Sequence, residues 1–381
     1  MDFALTEEQL QIREMVDAFA AERLAPNTLE WDQTAHFPVD VMRELAELGL
    51  AGIYVDPEHG GSGLGRLEAA LIFEGLAKGC VSTAAYLSIH NMVAWMVDRF
   101  GSDEQRAEWL PKLCSMELIA SYCLTEPGSG SDAAALKTRA DPDGNAYYVL
   151  NGSKAFISGA GTSDVYCVMC RTGEPGAKGI STILVAKDAP GISFGAPERK
   201  MGWNSQPTAV VTFDNCRVPA ENRLGAEGAG FSFAMAGLDG GRINIAACSL
   251  GGAAWSLETA TAYVRERQAF GAPLSRLQAV QFKLADMATK LEASRLMTYR
   301  AAYALDNKHP DAGMRAAMAK QFATDACFEV VDDALQLHGG YGYIQDYGVE
   351  LRLRDLRVHR ILEGANDIMR LIVSRKLLEA A

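Results

Sequence analysis

The chain has 381 residues, of which 49% are hydrophobic and 22% are charged, and its formal net charge is −12. This length allows two or three domains with a large core, and the composition is ordinary for a globular protein. The negative charge argues against DNA or another polyanion as a partner, because phosphate binding needs clustered Lys and Arg. No apolar run in the sequence approaches the roughly 18 residues that a bilayer-spanning helix needs.

The amino terminus, MDFALTEEQLQIREMV, is acidic and predicts an amphipathic helix that begins almost at once. It shows neither the apolar stretch of a signal peptide nor the arginine-rich pattern of a transit peptide. We therefore expect a cytosolic protein, or a mature chain from which a leader has been removed.

Residues 1–120 have the pattern of a helical domain. Apolar residues near the start recur at helical spacing: Ile12, Met15, Val16 and Phe19. Thr6 with Gln9 predicts a capping box at the start of the first helix, and Ser102 with Gln105 repeats this signature farther on. The glycine-rich stretch between them, PEHGGSGLG, lacks the G-K-[ST] ending of a phosphate loop, which favours a plain turn.

Residues 121–225 contain short β-branched segments bounded by turns, which predict a small β domain. Within it, Asn151-Gly152 lies between two strand-like runs and predicts a hairpin turn. Long helical runs return in a third domain, residues 226–381. The order of helical, β and helical parts excludes a Rossmann-type domain, because no strand leads into a G-x-G-x-x-G turn.

The cysteines and histidines do not predict a metal site. Cys167 and Cys170 form a lone C-x-x-C inside DVYCVMCRT, with no second pair to complete a zinc site. The eight cysteines lie in apolar segments, so we interpret them as reduced core residues. The six histidines show no ligand spacing, and we expect no metal.

Two glycine-rich stretches are suited to holding a ligand. YCLTEPGSGSD offers the hydroxyls of Thr125, Ser129 and Ser131 and backbone N–H groups around glycines, a lining suited to phosphate or to the edge of a flavin. A plain loop is an equal alternative. QLHGGYGY contains Gly339 and Gly340, which let another backbone or a pyrophosphate approach closely. Here the alternative is the end of a helix.

The acidic residue of RILEGANDIMR, Glu363, follows two aliphatic residues and precedes Gly364 and Ala365. A carboxylate in apolar surroundings costs free energy unless it is paired or protonated. One interpretation is structural: Arg360 pairs with it, or it favours the dipole of the following helix, which is worth about 0.3–1 kcal/mol. The other is that the carboxylate is held there for a chemical reason.

Several of these motifs occur together in one order and spacing: YCLTEPGSGSD, KAFISGA, RERQAFG with a following Gln278, QLHGGYGY and RILEGAND. In this arrangement the chain resembles the acyl-CoA dehydrogenases along essentially its whole length. The resemblance implies an α+β multidomain fold with an N-terminal helical domain, a middle β-barrel and a C-terminal four-helix bundle. It also implies a flavoprotein oxidoreductase with flavin adenine dinucleotide (FAD) between the β domain and the bundle.

The resemblance assigns most of the motifs to the cofactor site. In the β domain the matching residues are Tyr122, Leu124, Thr125, Gly130, Ser131, Phe156, Ile157 and Ser158. In the C-terminal domain they are Arg267, Phe270, Gln278, Gln336, Leu337, His338, Gly339, Gly340, Ala365, Asn366 and Asp367. Many relatives carry Trp and Thr where this chain has Phe156 and Ser158, which keep an aromatic face and a hydroxyl. In the family, part of the C-terminal set holds the adenosine pyrophosphate across a subunit boundary.

For catalysis, the resemblance makes Glu363 the base that removes the α-proton of an acyl-CoA while the β-hydrogen leaves as hydride to flavin N5. Some relatives carry the base immediately before the residue that matches Arg242, but this chain has Gly241 there, so the base stays at Glu363. The residues that match substrate contacts are Ser131, Asp239, Gly240, Gly241, Arg242, Gly364 and Arg375.

Segments such as SIHNMVAWM, WNSQPT and YGYIQDYGVE resemble most the branch of the family that acts on isobutyryl-CoA. We therefore expect conversion of isobutyryl-CoA to methacrylyl-CoA in valine breakdown, with electron-transfer flavoprotein as the acceptor. The alternatives are 2-methylbutyryl-CoA or butyryl-CoA as substrate, an acyl-CoA oxidase, or a DNA-binding relative, which the charge disfavours. The resemblance also implies a homotetramer without membrane or nucleic-acid partners, in a bacterial cytoplasm or in the mitochondrial matrix.

Overall fold

Helices make up the first part of the chain in the computed structural model, which describes residues 4–379. They are α1 (Glu7–Phe19), α2 (Thr28–Thr34), α3 (Val39–Glu47), α4 (Arg66–Gly79), α5 (Val81–Phe100) and α6 (Asp103–Cys114). Before α1, Thr6 Oγ1 accepts from Gln9 N at 3.2 Å and Gln9 Oε1 accepts from Thr6 N at 3.1 Å. Ser102 and Gln105 do the same before α6, at 3.2 and 2.9 Å. Both predicted capping boxes are confirmed, and each satisfies N–H groups that a helix start leaves unpaired.

A β-sheet follows the helices. Its strands are β1 (Ala120–Cys123), β2 (Arg139–Asp143), β3 (Tyr147–Ser158), β4 (Val165–Arg171), β5 (Ile180–Ala186), β6 (Ile192–Phe194), β7 (Thr208–Pro219) and β8 (Arg223–Leu224). The strand order is β6-β7-β3-β2-β4-β5-β8, with β1 parallel to β4. Two further short strands, β9 (Gln268–Ala269) and β10 (Ala272–Pro273), form a separate antiparallel pair.

Strand β4 is buried along its whole length, which explains its continuous apolar run. Cys167 packs in a cluster with residues of α5 and α6, whereas Cys170 packs in the cluster formed by the strands. Successive side chains of a strand point to opposite faces, so these two thiols lie on opposite sides of the sheet. Their interpretation as strand core is confirmed, and they are not placed to bind one ion together.

The hairpin predicted at Asn151-Gly152 is wrong. β3 runs through both residues, and its pairing with β7 shifts register between Leu150 and Gly152. The turn lies earlier, between β2 and β3, at Gly144 with φ 63°. Gly152 has φ 143°, and a Cβ there would lie 2.7 Å from Thr138 Cα. The glycine therefore serves an irregular strand and a close backbone approach, both of which favour this residue.

The third part of the chain is helical: α7 (Gly230–Glu266), α8 (Gln278–Asp306), α9 (Ala312–His338), α10 (Gly340–Tyr343), α11 (Val349–Arg357) and α12 (Asn366–Glu379). α9 contacts α7, α8, α11 and α12, while α7 also packs on α4 and α5. Gly251 allows the close contact of α7 with α4, because a Cβ there would meet the carbonyl of Glu74. None of the helices within residues 4–379 is both long and apolar enough to cross a bilayer.

The packing of these parts places α7 next to the sheet. One core cluster joins α1, α4 and α5 to α7, α8 and α9. Another joins α5, α6 and the start of α7 to strands β4 and β5. The turn that precedes α12 lies against α7, so Glu363 lies near the junction of the sheet and the bundle.

Candidate active site

Glu363 lies in a tight turn between a 3₁₀ turn (Val358–Arg360) and α12. Its φ is 55°, and Gly364 follows with φ 91°, so two consecutive residues are left-handed. This conformation costs about 1–3 kcal/mol for a residue other than glycine. Contacts around the turn must therefore hold Glu363 there, and such strain is concentrated at functional sites.

The carboxylate of Glu363 packs against α7 at Gly241. A Cβ on Gly241 would lie 2.5 Å from Glu363 Oε2, so only glycine leaves room for the carboxylate. Other atoms of Glu363 are part-exposed, but Oε2 is buried and has no hydrogen-bond partner in the described part of the chain. Burial raises the pKa of Glu363 to about 7, while the charges of Arg242 and Lys320 oppose this shift. A carboxylate with this pKa suits a general base at neutral pH.

Arg242 connects the turn to α7. Its Nη1 donates to Asp239 Oδ1 at 2.6 Å, and its Nε donates to the backbone oxygen of Glu363 at 3.3 Å. The side chain of Arg242 is buried, so both contacts are shielded from water. The structure thus brings Asp239, Gly241 and Arg242 together with Glu363. Gly240, between them, lies against the guanidinium of Arg66.

Tyr122 brings the sheet to the same place. Its hydroxyl is buried and, among residues 4–379, has no hydrogen-bond partner. Burial, and then the charge of Glu363, raise the pKa of this hydroxyl well above its ordinary value. The Tyr122 hydroxyl and Glu363 Oε2 are both unpaired and lie close enough to interact, so a ligand bound between them would supply the missing contacts. Because β1 carries Tyr122, this place lies between the sheet and the bundle.

The loop after β1 is fixed by its backbone. Lys154 Nζ, which is fully buried, donates to the carbonyl of Leu124 at 3.1 Å. The N–H of Ala155 donates to the carbonyl of Thr125 at 2.9 Å. The side chain of Leu124 is buried, and Thr125 is half-buried. β3 therefore holds the loop in place through its main chain.

Three of the predicted cofactor residues are exposed: Gly130 and Ser131 in the loop after β1, and Phe156 in β3. A Cβ on Gly130 would meet nothing within 4 Å. Phe156 is 69% exposed with φ 59°, where β3 shifts its register against β7. Next to it, Ile157 is buried and Ser158 is half-buried. A large aromatic side chain left in solvent on a strained backbone indicates a missing partner, and a flat ring is one that would fit.

A second group of predicted cofactor residues lies at the other end of α7. Arg267 directly follows the last residue of this helix, and its guanidinium carbon lies 5.5 Å from the ring centre of Tyr341. Phe270 is 93% exposed with φ 53°. A Cβ on Gly339 or Gly340 would meet nothing within 4 Å, so this turn is open to a ligand.

The remaining members of this group differ in how far their side chains are exposed to solvent. Gln278 begins α8 and is exposed, as is Gln336, while Leu337 is half-buried. His338 is buried, and its ring stacks on Tyr263 with 4.4 Å between centroids. The imidazole of His338 therefore packs the end of α9, which ends at this residue.

The two groups do not meet within one chain. α7 advances 26 residues from Gly241 to Arg267, which corresponds to about 39 Å at 1.5 Å per residue. Arg267 and Glu363 of the same chain therefore lie far apart.

The start of α12 is close to Glu363. Ala365 is part-exposed, and Asp367 is exposed. Asn366 is buried, and its Oδ1 accepts from Lys320 Nζ at 2.8 Å, so this side chain serves the protein interior. Arg375 is exposed and lies farther along α12, away from the other predicted substrate residues.

Lys320 was not among the residues predicted from the sequence, and it donates to the carbonyl of Gly364 at 2.8 Å and to Asn366. A signal for it was present, because a lysine at helical spacing from small residues indicates a buried charge with a specific partner. The buried neighbours at this spacing are Ala316, Ala317, Ala323 and Thr324.

The features described so far fit an FAD molecule. Unpaired Tyr122 and Glu363 atoms, the exposed Phe156 ring and open glycine turns provide polar contacts, a stacking face and room for phosphates. Within residues 4–379, no cluster of three or more His, Cys, Asp or Glu side chains is arranged to hold a metal ion.

Three family models match the chain in order. The N-terminal domain of acyl-CoA dehydrogenase matches residues 6–117, the middle domain residues 121–216 and the C-terminal domain residues 228–378. The mitochondrial isobutyryl-CoA dehydrogenase of Dictyostelium discoideum is 60% identical over 374 residues, covering 98% of this chain and 90% of the relative. The mitochondrial isobutyryl-CoA dehydrogenase of Bos taurus is 56% identical over 375 residues, with the same coverage.

Solved structures agree with this assignment. Butyryl-CoA dehydrogenase of Megasphaera elsdenii has a TM-score of 0.96 and 37% identity, covering 99% of this chain and 100% of that chain. A chain from a structure of the electron transferring flavoprotein of Acidaminococcus fermentans has a TM-score of 0.96 and 42% identity, with the same coverage. The FAD complex of PigA has a TM-score of 0.96 and 32% identity over the whole of both chains. The α+β fold implied by the resemblance is confirmed, and the chain belongs to the acyl-CoA dehydrogenase family.

Proposed function

We propose that this oxidoreductase uses FAD to convert isobutyryl-CoA to methacrylyl-CoA, a step of valine breakdown, with Glu363 as the base. The observation that carries the proposal is the state of Glu363: an unpaired buried Oε2, a pKa of about 7 and a left-handed turn that holds it against Gly241. The acyl group is supported by the two relatives above, both isobutyryl-CoA dehydrogenases.

Glu363 removes the α-proton of the thioester. A glutamate with the ordinary pKa of 4.5 is a weak base at neutral pH, whereas the raised pKa of about 7 makes Glu363 an effective one. When bound, FAD supplies the acceptor for the hydride that leaves the β-carbon. The α–β bond becomes a double bond as the proton moves to Glu363. The backbone N–H of Glu363 polarises the thioester carbonyl, and Arg242 keeps the turn in position.

Two sets of residues are proposed to hold FAD. In the sheet, the exposed Phe156 would offer a face to the flavin ring, and Ser158 would offer a hydroxyl to its edge. The open glycines of the loop after β1 leave room for the cofactor. At the far end of α7, the guanidinium of Arg267 is suited to a pyrophosphate, because it donates hydrogen bonds to two oxygens at once. The open turn at Gly339 leaves room for this group. The length of α7 supports a role for this second set in the site of another copy of the chain.

A homotetramer is the proposed assembly. Large apolar side chains are exposed on the bundle, including Phe282, Tyr303 and Leu377, and such surfaces are usually covered in an oligomer. Light scattering should give the mass of four chains. A monomer that still holds FAD would contradict both this assembly and the shared role of Arg267.

Electron-transfer flavoprotein is the proposed electron acceptor, supported by family membership and by the Acidaminococcus fermentans structure. An oxidase on the same scaffold would instead form hydrogen peroxide during turnover in air, which a peroxide assay would detect. The proposed compartment is the mitochondrial matrix, as for the named relatives, or the cytoplasm of a bacterium.

The proposed domain boundaries lie near residues 120 and 225. The first group of helices ends at Cys114, the strands of the sheet lie between Ala120 and Leu224, and α7 begins at Gly230. These limits support the division.

Anaerobic titration with isobutyryl-CoA tests the function. The holoenzyme should lose its visible flavin absorbance in proportion to added substrate. A yellow protein that isobutyryl-CoA does not bleach would reject this substrate, and 2-methylbutyryl-CoA and butyryl-CoA would then be compared. One methylene is worth only about 1–3 kcal/mol in a pocket, so the three rates should be ranked side by side. A protein that never binds flavin would reject the enzymatic role.

A further inference from the structure

A buried lysine lies directly behind the turn that carries Glu363. Lys320 of α9 is fully buried, and its Nζ donates to the carbonyl of Gly364 and to Asn366 Oδ1, each at 2.8 Å. Burial lowers the pKa of Lys320 to about 8, and the charge of Glu363 opposes this shift. A buried ammonium group is costly to keep, yet the chemistry described above gives Lys320 no task.

Two cations from two helices hold consecutive carbonyl groups of the turn. Arg242 of α7 donates to the carbonyl of Glu363 at 3.3 Å, and Lys320 of α9 donates to the carbonyl of Gly364. These carbonyls belong to the two left-handed residues. Because peptide units are planar, fixing both carbonyl directions fixes both peptide planes after Glu363. Lys320 therefore helps to set the direction in which the Glu363 side chain leaves the backbone.

The second acceptor of Lys320 is itself held in place. Asn366 Nδ2 donates to Thr324 Oγ1 and to Asp325 Oδ1, both at 3.0 Å. Asp325, the acid that faces Lys320 on its own helix, is paired with Arg360 at 3.0 Å. Lys320 Nζ is thus confined by a network with little freedom to rearrange.

The titratable groups around Glu363 come from three elements. α7 contributes Arg242, which is ion-paired with Asp239, α9 contributes Lys320, and β1 contributes the hydroxyl of Tyr122. The ion pair with Asp239 at 2.6 Å offsets the charge of Arg242. Lys320, by contrast, donates to a carbonyl and an amide, and it forms no ion pair with any described carboxylate. Its charge is therefore the less compensated of the two.

We propose that Lys320 is a positioning residue of the dehydrogenation: it fixes the turn that carries Glu363 and presents to its carboxylate a positive charge that is less compensated than that of Arg242. This inference rests on the proposed function, in which Glu363 is the base. Removing the charge favours the protonated carboxylate, so the base becomes available only at higher pH.

The test is the pH dependence of kcat/KM for isobutyryl-CoA, which reports ionisations of the free enzyme. Lys320→Gln keeps a hydrogen-bond donor without the charge, and we expect its acidic limb to move up by about one pH unit, the usual minimum for loss of a close opposite charge. At pH values below the limb, kcat/KM of Lys320→Gln should be about tenfold lower than that of the wild type. At pH values above it, the two values should agree. Lys320→Arg keeps the charge, so its limb should stay near the wild-type position.

An acidic limb that stays in place in Lys320→Gln would overturn the inference, whatever the overall loss of activity. Lys290→Met is the matched control, because Lys290 pairs with Glu329 on the surface and its removal should not move the limb. Lys320→Gln removes a buried charge and so avoids its burial cost, and it keeps a donor for the Gly364 carbonyl, so this variant should fold. The flavin spectrum of each holoenzyme confirms folding.

Glu363→Gln, measured alongside, separates the two proposals. If Glu363→Gln is reduced by substrate at the wild-type rate, the role of Glu363 fails, and the role of Lys320 fails with it. If Glu363→Gln is inactive and the limb of Lys320→Gln does not move, only the inference about Lys320 fails.

Discussion

Two glutamates with buried carboxylate oxygens, Glu126 and Glu363, differ in how completely they are hydrogen-bonded. Glu126 accepts from Lys154 Nζ at 2.8 Å and from the N–H groups of Lys137 and Thr138 at 2.7 and 2.9 Å. Burial opposes its ionisation, but Lys154 and these hydrogen bonds prevail and lower the pKa of Glu126. Glu363 Oε2 has no partner among the described residues, and burial raises the pKa of Glu363 to about 7.

The difference shows that burial alone does not make a carboxylate reactive. Burial raises the pKa of Asp355 to about 7 as well, yet Asp355 accepts from the N–H of Trp203 at 2.6 Å and joins a loop of the middle part to α11. A buried carboxylate that accepts hydrogen bonds from another segment of the chain fixes structure. One that lacks a partner beside an open ligand site is available to take a proton from a substrate.

Replacing Glu363 tests the reactive side of the comparison and has the largest expected effect. Glutamine keeps the size of the side chain but does not accept a proton. We expect Glu363→Gln to bind flavin as the wild type does and to lose about 10²–10⁴-fold in the rate of anaerobic flavin reduction by isobutyryl-CoA. Stopped-flow absorbance measures this rate.

Asp355→Asn is the matched control for Glu363→Gln, because it also removes a buried acid with a raised pKa. We expect its flavin to be reduced at close to the wild-type rate. An almost fully active Glu363→Gln variant would end the assignment of the base.

Removing Lys154 tests the interpretation of Glu126 as a structural acid. Lys154→Met leaves the Glu126 carboxylate buried without its cation, so we expect the free energy of unfolding to fall by about 3–5 kcal/mol. Denaturant titration measures the change. Lys290→Met, which breaks an exposed pair with Glu329, should cost less than about 1 kcal/mol.

The double variant Lys154→Met/Glu126→Leu sharpens this result. It removes both charges, so no stranded carboxylate remains, and most of the lost stability should return. If Lys154→Met alone unfolds at the wild-type denaturant concentration, the view of Glu126 as a structural acid fails.

The sequence predicted the fold where its signals are local and repeated. The capping boxes at Thr6 and Ser102, the long helical runs and the change of period in the middle part all depend on neighbouring residues. The prediction at Asn151-Gly152 failed because pairing with β7 and the approach of Thr138 override the turn preference of these two residues. Such long-range contacts leave no mark in a short window of sequence.

The active site was harder than the fold to predict from local sequence patterns. From its neighbours alone, Glu363 is explained as well by the dipole of α12, and only the family resemblance made it the base. Arg242 contacts the Glu363 carbonyl from 121 positions away, and Lys320 contacts Gly364 from 44 positions away. The burial and the missing partner of Oε2 exist only once these distant segments have packed together.

The two glutamates should also respond to pH in opposite directions. Glu363 has a pKa of about 7 when folded, against 4.5 for an ordinary glutamate, so the native state binds its proton more tightly than the unfolded chain does. Stability therefore falls by about 3 kcal/mol through Glu363 as the pH rises from 4.5 to 7. Glu126, whose pKa is lowered, adds stability above its unfolded pKa, and this is lost as the pH falls through its folded pKa.

Glu363→Gln isolates the first of these effects. Near pH 4.5 the variant and the wild type should unfold with similar free energies, because both then carry a neutral side chain. The variant should become the more stable one by up to about 3 kcal/mol as the pH reaches 7 and above. Denaturant titrations of the flavin-saturated proteins at several pH values measure this. A difference that stays constant with pH would contradict the raised pKa.

The smallest expected effect comes from the glycine that makes room for the Glu363 carboxylate. In Gly241→Ala the new Cβ would lie 2.5 Å from Oε2, so the carboxylate must move away. A displacement of about 1 Å can cost up to about 10²-fold in rate, while the protein should stay folded because alanine favours a helix interior by about 0.5–1 kcal/mol. Gly237→Ala is the control on the same helix, since its Cβ would meet only methionine side chains at 3.4 Å or more. If Gly241→Ala alone slows flavin reduction, the position of Glu363 matters as much as its missing partner. If neither variant does, only the missing hydrogen-bond partner of Oε2, and not the exact position of the carboxylate, separates Glu363 from the structural acids.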